Sequence, residues 1–311
     1  MPKNKVLIIK HGALGDMIFA NGAFQAISKH HKKDHIVLLT TSAYASMMEM
    51  SDYFDEVWVD NRPRPLTSPI ECWRLFQKLR QAKFTKIYDL QKSKRTKQYR
   101  QLTDRWFNPK PDWCTKHVGA KYAYADPAQY DLHIYDRHAN MLAVAGIKNV
   151  PKPNIDWMKS DIKGLKLPEK YFIFVPGCSP TQPHKRWQPE SYGEVAKWLV
   201  KKGIIPVIIG TKDEAGIIQT IQSICPQAIS LEGKTSLFDI AEIGRHAVGA
   251  LGHDTGPMHI VAVTGCPSVM LFSWSSIPKH YAPRGFKATI FHQNNLEDIS
   301  VAEVIKSLPI K

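Results

Sequence analysis

The sequence predicts an α/β protein made of two tandem domains, each built on a parallel sheet. Three observations carry that prediction. The chain has 311 residues, of which 43% are apolar, enough for two domains of ordinary size with a core each. Its first half alternates short apolar runs with amphipathic stretches, and its second half repeats that rhythm. In the first half Val6 to Lys10, Ile36 to Leu39, Val57 to Val59 and Lys86 to Leu90 read as buried strands, and an apolar helix spans Met17 to Ile27. In the second half the strands are Tyr171 to Val175, Pro206 to Ile209, Val248 to Leu251 and Ser268 to Phe272. Helices fall near Tyr192 to Lys201, Asp213 to Ile224 and Leu237 to Arg245, and Leu296 to Leu308 reads as one terminal helix.

Between the halves lie Pro151-Lys152-Pro153 and the polar stretch Met158 to Pro168, where helix and strand signals are both poor. The linker is placed there, giving domains of residues 1–160 and 161–311, with the final helix free to pack back on the first. No short-period repeat or low-complexity tract interrupts the pattern.

Composition narrows the function classes. The most apolar stretch, Ile260 to Phe272, contains Thr264, Gly265 and Pro267, and no window approaches the roughly 18 apolar residues of a membrane span. Met1 to Lys5 leads straight into Val6 to Ile9, too short for a signal-peptide core, so a cytoplasmic protein is expected. The five cysteines are odd in number and scattered, with no CxxC spacing, which suggests reduced packing residues rather than disulfides or zinc ligands. A net charge of +14 points to an anionic partner, either a polymer or a lipid surface.

Parallel sheets bind ligands beyond the carboxyl ends of their strands, so the motifs there carry the functional reading. After the first strand comes Lys10-His11-Gly12-Ala13-Leu14-Gly15-Asp16. Asp16 fits a helix N-cap and equally a general base that takes a proton from an acceptor hydroxyl. After Tyr171 to Val175 come Pro176-Gly177-Cys178-Ser179 and His184-Lys185-Arg186-Trp187. Lys185 suits a phosphate, with donors from Gly177 and Ser179 beside it; a solvated basic loop is the plainer alternative.

The sharpest motif is Gly252-His253-Asp254-Thr255-Gly256-Pro257-Met258-His259. Asp254 and Thr255 fit a helix start, and Gly256 would let a diphosphate approach the exposed N–H groups. His253 and His259 read as hydrogen-bonded structural groups rather than metal ligands, with His259 reaching back to a phosphate or bracing the loop. No Asp-x-Asp pair occurs, so a metal-independent mechanism is expected. Asp213 and Glu214, after another strand, could accept bonds from a ribose or simply cap a helix. Arg62 and Arg64, and then Lys92, Lys94, Arg95, Lys97 and Arg100, gather charge at the same strand ends as Asp16. They would suit phosphates and carboxylates on an acceptor, or form a solvated basic face.

Together, Pro176-Gly177-Cys178-Ser179, Lys185-Arg186-Trp187 and Asp254-Thr255-Gly256-Pro257-Met258-His259 resemble the signature of the ADP-heptose:lipopolysaccharide heptosyltransferases, glycosyltransferase family 9. The resemblance extends to Gly15-Asp16, Asp89-Leu90-Gln91 with Ser93 and Arg95, Phe272-Ser273, and Tyr281-Ala282-Pro283. It implies the GT-B fold: two Rossmann-like domains whose sheets face across a cleft, with the acceptor on the first domain and the nucleotide sugar on the second. It also implies inverting transfer of heptose from ADP-heptose, a substrate rather than a cofactor, to the anionic lipopolysaccharide inner core, at the cytoplasmic face of the inner membrane.

By motif, Asp16 would be the base and Lys185 would neutralise the departing diphosphate. Gly177, Ser179, Trp187, Asp213, Glu214, Asp254, Thr255, Gly256 and His259 would line the donor site. Gly15, Arg62, Arg64, Gln91, Lys92, Ser93 and Arg95 would meet the acceptor. One departure stands out. The family often carries a small residue and a Gly-Pro pair where this chain reads Phe272-Ser273-Trp274-Ser275-Ser276, which puts a bulky Trp274 near the donor's base or sugar and leaves another nucleotide sugar open as donor. Two rival functions remain: a nucleotide-sugar epimerase on the same plan, which has no use for an acceptor surface, and a nucleic-acid binder, suggested by the charge and by Tyr99 and Trp106, which lacks any nucleic-acid motif.

Overall fold

The computed structural model describes residues 4–179 and 181–310, so Met1, Pro2 and Lys3 of the N-terminal reading lie outside the described residues. The chain divides into two compact units, Met1–Pro153 and Asn154–Lys311.

The first unit runs β1 (Lys5–Ile9), α1 (Leu14–His30), β2 (His35–Thr40), α2 (Ser42–Glu49), β3 (Glu56–Val59), α3 (Pro69–Ala82), β4 (Lys86–Asp89), α4 (Lys94–Trp106), β5 (Asp112–Thr115), β6 (Tyr122–Ala123) and α5 (Ile134–Ala143). Its sheet is ordered β3-β2-β1-β4-β5-β6, and every pair is parallel. Leu7, Ile9, Val37 and Leu39 pack with Phe84, Trp113 and Phe107 on one side of that sheet.

The second unit runs β7 (Tyr171–Val175), α6 (Pro189–Lys201), β8 (Ile205–Ile208), α7 (Ala215–Ile224), β9 (Ile229–Ser230), α8 (Leu237–His246), β10 (Gly249–His253), α9 (Gly256–Val263), β11 (Ser268–Phe272), α10 (Pro278–Tyr281), β12 (Ala288–His292) and α11 (Val301–Ser307). Its sheet is ordered β12-β11-β10-β7-β8-β9, again all parallel. Counting strands within each unit, both sheets have the order 3-2-1-4-5-6, the doubly wound arrangement of dinucleotide-binding folds. Its direction of winding reverses between the first and fourth strands, which puts the topological switch point, where such sheets bind ligands, past the ends of β1 and β4 in one unit and of β7 and β10 in the other.

Some elements differ from the sequence reading. The first helix begins at Leu14, so Asp16 is its third residue. The terminal helix is broken: a 3-10 turn covers Leu296–Asp298, and α11 starts after Ser300, whose backbone N–H and hydroxyl both donate to the Glu303 carboxylate. That capping box sets a helix start that hydrophobic periodicity alone does not reveal. Within the second unit, Val304 and Leu308 of α11 join Trp187, Leu199 and Val269 in the core. Part of the expected linker belongs to that unit as well. Ile155 and Met158 are buried, Arg245 donates to their carbonyls at 2.8 and 2.7 Å, and Ser160 bonds Asp239.

Candidate functional site

In the first unit the chain leaves β1 through Lys10 and His11, both buried. Gly12 has φ of +112°, and a Cβ there would run into the Tyr44 ring, so this turn needs glycine. Ala13, at the N-cap of α1, has no side-chain oxygen to offer. Asp16 reaches back instead and accepts from the Ala13 N–H at 3.2 Å, satisfying one of the helix's orphan donors. The carboxylate is still 38% exposed, and its ion partner is Lys10 Nζ at 3.8 Å. Burial pulls the Lys10 ammonium below its usual pKa, and Asp16 and Asp89 pull partly the other way.

The basic residues of this edge are held in different ways. Arg62 and Arg64 are exposed. Arg95 is committed: its guanidinium meets Asp60 at 3.3 Å and the Pro63 carbonyl at 3.0 Å, and it also contacts Tyr99. Tyr99 donates to Asp60 at 2.5 Å, and His11 Nε2 lies 3.0 Å from the same carboxylate. Burial alone would raise the Asp60 pKa, but His11, Tyr99 and Arg95 together hold it well below the carboxylate range. Gln91 Oε1 accepts from the His11 N–H at 2.9 Å, Lys92 N–H donates to Asp89 at 2.7 Å, and Ser93 caps α4. Burial first, and then the Lys10 charge, push the Lys92 pKa down to about 8. Gly15 sits in the first turn of α1. Sequence reasoning gave no role to Lys10, His11 or Asp60, which form the frame beneath this edge. A residue directly after a strand end was the available signal for each, but their pairing spans tens of residues.

In the second unit β7 and β10 end side by side. Asp254 follows β10, yet its carboxylate does not cap α9; Thr255 is the N-cap, with no side-chain cap bond. Asp254 instead binds three partners: His259 Nε2 at 2.9 Å, Lys185 Nζ at 3.2 Å and the Ser276 hydroxyl at 2.5 Å. Burial opposes its ionisation, but these partners prevail and bring its pKa to about 2. His253 is fully buried and accepts the Trp187 N–H on Nε2 at 2.7 Å, and burial pushes its pKa down to about 3. The structure therefore brings Lys185, Asp254, Thr255, Gly256 and His259 together at one strand edge. Both histidines are hydrogen-bonded, and no group of three or more potential metal-binding side chains occurs among the described residues.

Trp187 departs from the ligand contact expected of it. Its side chain is 1% exposed and its indole N–H donates to the Ile299 carbonyl at 3.1 Å, so it anchors the Lys185 loop into the core rather than presenting a surface. Gly177 and Glu214 are adjacent: a Cβ at Gly177 would fall 2.5 Å from Glu214 Cγ. Glu214 Oε2 accepts from the Thr211 N–H and hydroxyl at 2.7 and 2.6 Å, whereas Asp213 is exposed. Ser179 bonds Thr181. Trp274 is 60% exposed and stacks on His184 at 4.9 Å. Ser276, missed in the sequence, completes the Asp254 set from a distant loop.

Residues 116–306 match the profile of the family described as Glycosyltransferase family 9 (heptosyltransferase). Among solved structures, the chain is similar to a glycosyl transferase family 9 protein from Veillonella parvula, with TM-score 0.78 and 19% identity over 98% of this chain and 96% of that one. It is similar to the ADP-heptose lps heptosyltransferase II of E. coli, with TM-score 0.79 and 18% identity over 98% and 97%. It is also similar to E. coli heptosyltransferase WaaC with ADP, with TM-score 0.74 and 16% identity over 97% and 98%. A comparison with curated protein sequences gives no match.

Proposed function

Because the chain belongs to glycosyltransferase family 9, the heptosyltransferase family, we propose that it moves heptose from ADP-heptose to the lipopolysaccharide inner core, with inversion and without a metal ion. The observation that carries this reading is Asp16: a half-exposed carboxylate fixed by the Ala13 N–H at the start of α1, with a buried ammonium behind it.

The carboxylate takes the proton of an acceptor hydroxyl while that oxygen bonds to the anomeric carbon. The bond from that carbon to the diphosphate breaks, and ADP leaves with the electron pair. Negative charge then grows on the diphosphate, and Lys185 with the free N–H groups at the start of α9 is suited to meet it. Asp254 and His259 keep the Lys185 ammonium at that edge, and a diphosphate would compete with Asp254 for it. Glu214, whose Oε2 is engaged by Thr211, offers Oε1 beside Gly177 to a ribose hydroxyl. Ser179 and Asp213 are further donor-site contacts, and Trp187 serves that site by holding the loop. On the first unit, Arg62, Arg64 and Lys92 meet phosphates and carboxylates of the core, next to Gly15, Gln91, Ser93 and Arg95. The two similar E. coli structures, one an ADP-heptose lps heptosyltransferase and the other a heptosyltransferase with ADP, support the choice of nucleotide. The protein would act in the cytoplasm against the inner face of the membrane, with no role for nucleic acid.

The test is ADP release from ADP-heptose with and without a deacylated, heptose-deficient core acceptor. Release that requires acceptor, and that falls about 10²- to 10⁴-fold in Asp16→Asn, supports transfer with Asp16 as base. Release without acceptor would instead indicate hydrolysis or epimerisation.

A further inference from the structure

Residues 61–110 hold fourteen Lys and Arg against three Asp and Glu, which is eleven of the chain's fourteen excess positive charges. The same segment exposes large apolar side chains: Leu66 is 98% exposed, Ile70 65%, Trp73 59%, Trp106 54% and Leu102 41%. Leu66 precedes α3, Ile70 and Trp73 lie on it, and Leu102 and Trp106 lie one turn apart at the end of α4. Between the two helices is a shallow apolar cavity of about 100 Å³ lined by Leu75, Phe76, Leu79, Leu102 and Phe107. Trp73 packs beside it, with ring centroids 5.7 Å from Phe76 and Phe76 in turn 5.8 Å from Phe107. No helix among the described residues is long and apolar enough to cross a membrane.

Soluble surfaces rarely expose tryptophan, isoleucine and leucine together without a partner. The partner must accept apolar side chains and also neutralise many cations. Nucleic acid meets the second need but has no use for Leu66 and Ile70. A bilayer with anionic headgroups meets both: indoles settle at the headgroup level, aliphatic side chains enter the acyl boundary, and surrounding Lys and Arg meet the negative surface. We propose that the α3–α4 face, with Leu66, Ile70, Trp73, Leu102 and Trp106 at its centre, is the surface by which this protein sits on an anionic lipid bilayer. The inference rests on the proposed function only in that a lipid-anchored acceptor gives the contact a purpose.

The test is co-sedimentation of the full chain with phosphatidylcholine vesicles with or without phosphatidylglycerol. Two exposed triple variants are compared with wild type: Leu66→Ser/Ile70→Ser/Trp73→Ser, and Arg74→Glu/Arg80→Glu/Lys97→Glu. Wild type should bind the phosphatidylglycerol vesicles at least about tenfold tighter than the neutral ones. The apolar variant should lose about tenfold of that affinity, and the charge variant about a hundredfold. Unchanged thermal melting of both variants would show that they fold. Transfer to the water-soluble deacylated acceptor should stay at the wild-type rate in the apolar variant. Equal wild-type binding to both vesicles, or variants that bind as wild type, would overturn the proposal. So would tighter binding to a random oligonucleotide that the apolar variant leaves unchanged, which would point to nucleic acid. Vesicle binding as expected, with no transfer by wild type, would count against the proposed function and leave the lipid surface standing.

Discussion

Two aspartates stand just past strand ends in the two sheets, and they are held very differently. Asp16 bonds one backbone N–H, lies 3.8 Å from one ammonium and keeps over a third of its side chain in solvent. Asp254 is 10% exposed and is gripped by a histidine, a lysine and a serine hydroxyl. A carboxylate with three charge-assisted or hydroxyl partners has little basicity left to offer, whereas Asp16 keeps an open side towards solvent. In sequence both read as helix-start carboxylates; in the fold one stays open to solvent and the other is tied to Lys185, His259 and Ser276.

The largest effect is expected in the second unit, where the Lys185 loop is keyed into the core. Trp187→Ala removes a large buried ring and its bond to Ile299, and should cost about 4 kcal/mol in urea unfolding; a loss below about 1 kcal/mol would show that the Lys185 loop is not anchored this way. Next, Asp254→Asn leaves Lys185 and His259 without their counter-charge and should cost about 3 kcal/mol, whereas Asp16→Asn should change stability by no more than about 0.5 kcal/mol.

The contrast sharpens with pH. The Asp254 pKa is lowered from the model-compound value of 3.8 to about 2 in the fold. Its stabilisation, about 2 kcal/mol, is therefore fully present above pH 4 and is lost as the pH falls towards 2. The stability gap between wild type and Asp254→Asn should narrow by about 2 kcal/mol over that interval, and a gap unchanged at pH 2 would contradict the ion-pair explanation. The smallest effect concerns Lys92, whose pKa is brought down to about 8. It is charged below that pH and neutral above it, so affinity for a phosphorylated acceptor should weaken as the pH rises from 7 to 9. In Lys92→Met that dependence should flatten.

Much of this was legible in the sequence because strand-end motifs are local. Lys185, Asp254, Gly256 and His259 lie in short runs after strands whose apolar patterns are unambiguous, and both sheets follow from the alternating rhythm. The missed strands are short or half-exposed: β6 and β9 have two residues each, β5 is a largely buried run of only four, Asp112–Thr115, and β12 alternates partly buried and exposed positions at a sheet edge. Pairing over long separations was hidden too. Nothing in the sequence joins Asp60 to His11 and Arg95, or Ser276 to Asp254, and nothing distinguishes Asp213 from Glu214 until the turn places only one against Gly177. Trp187 read as a ligand contact because it adjoins Lys185, but burial assigns it to the core.

The most direct measurement sets Asp16→Asn beside Asp254→Asn, recording ADP affinity by calorimetry and acceptor-dependent heptose transfer in the same preparations. Asp16→Asn should keep wild-type ADP affinity while transfer falls about 10²- to 10⁴-fold, and Asp254→Asn should change ADP affinity. Wild-type transfer by Asp16→Asn, or transfer lost only in step with ADP affinity in both variants, would contradict Asp16 as the base.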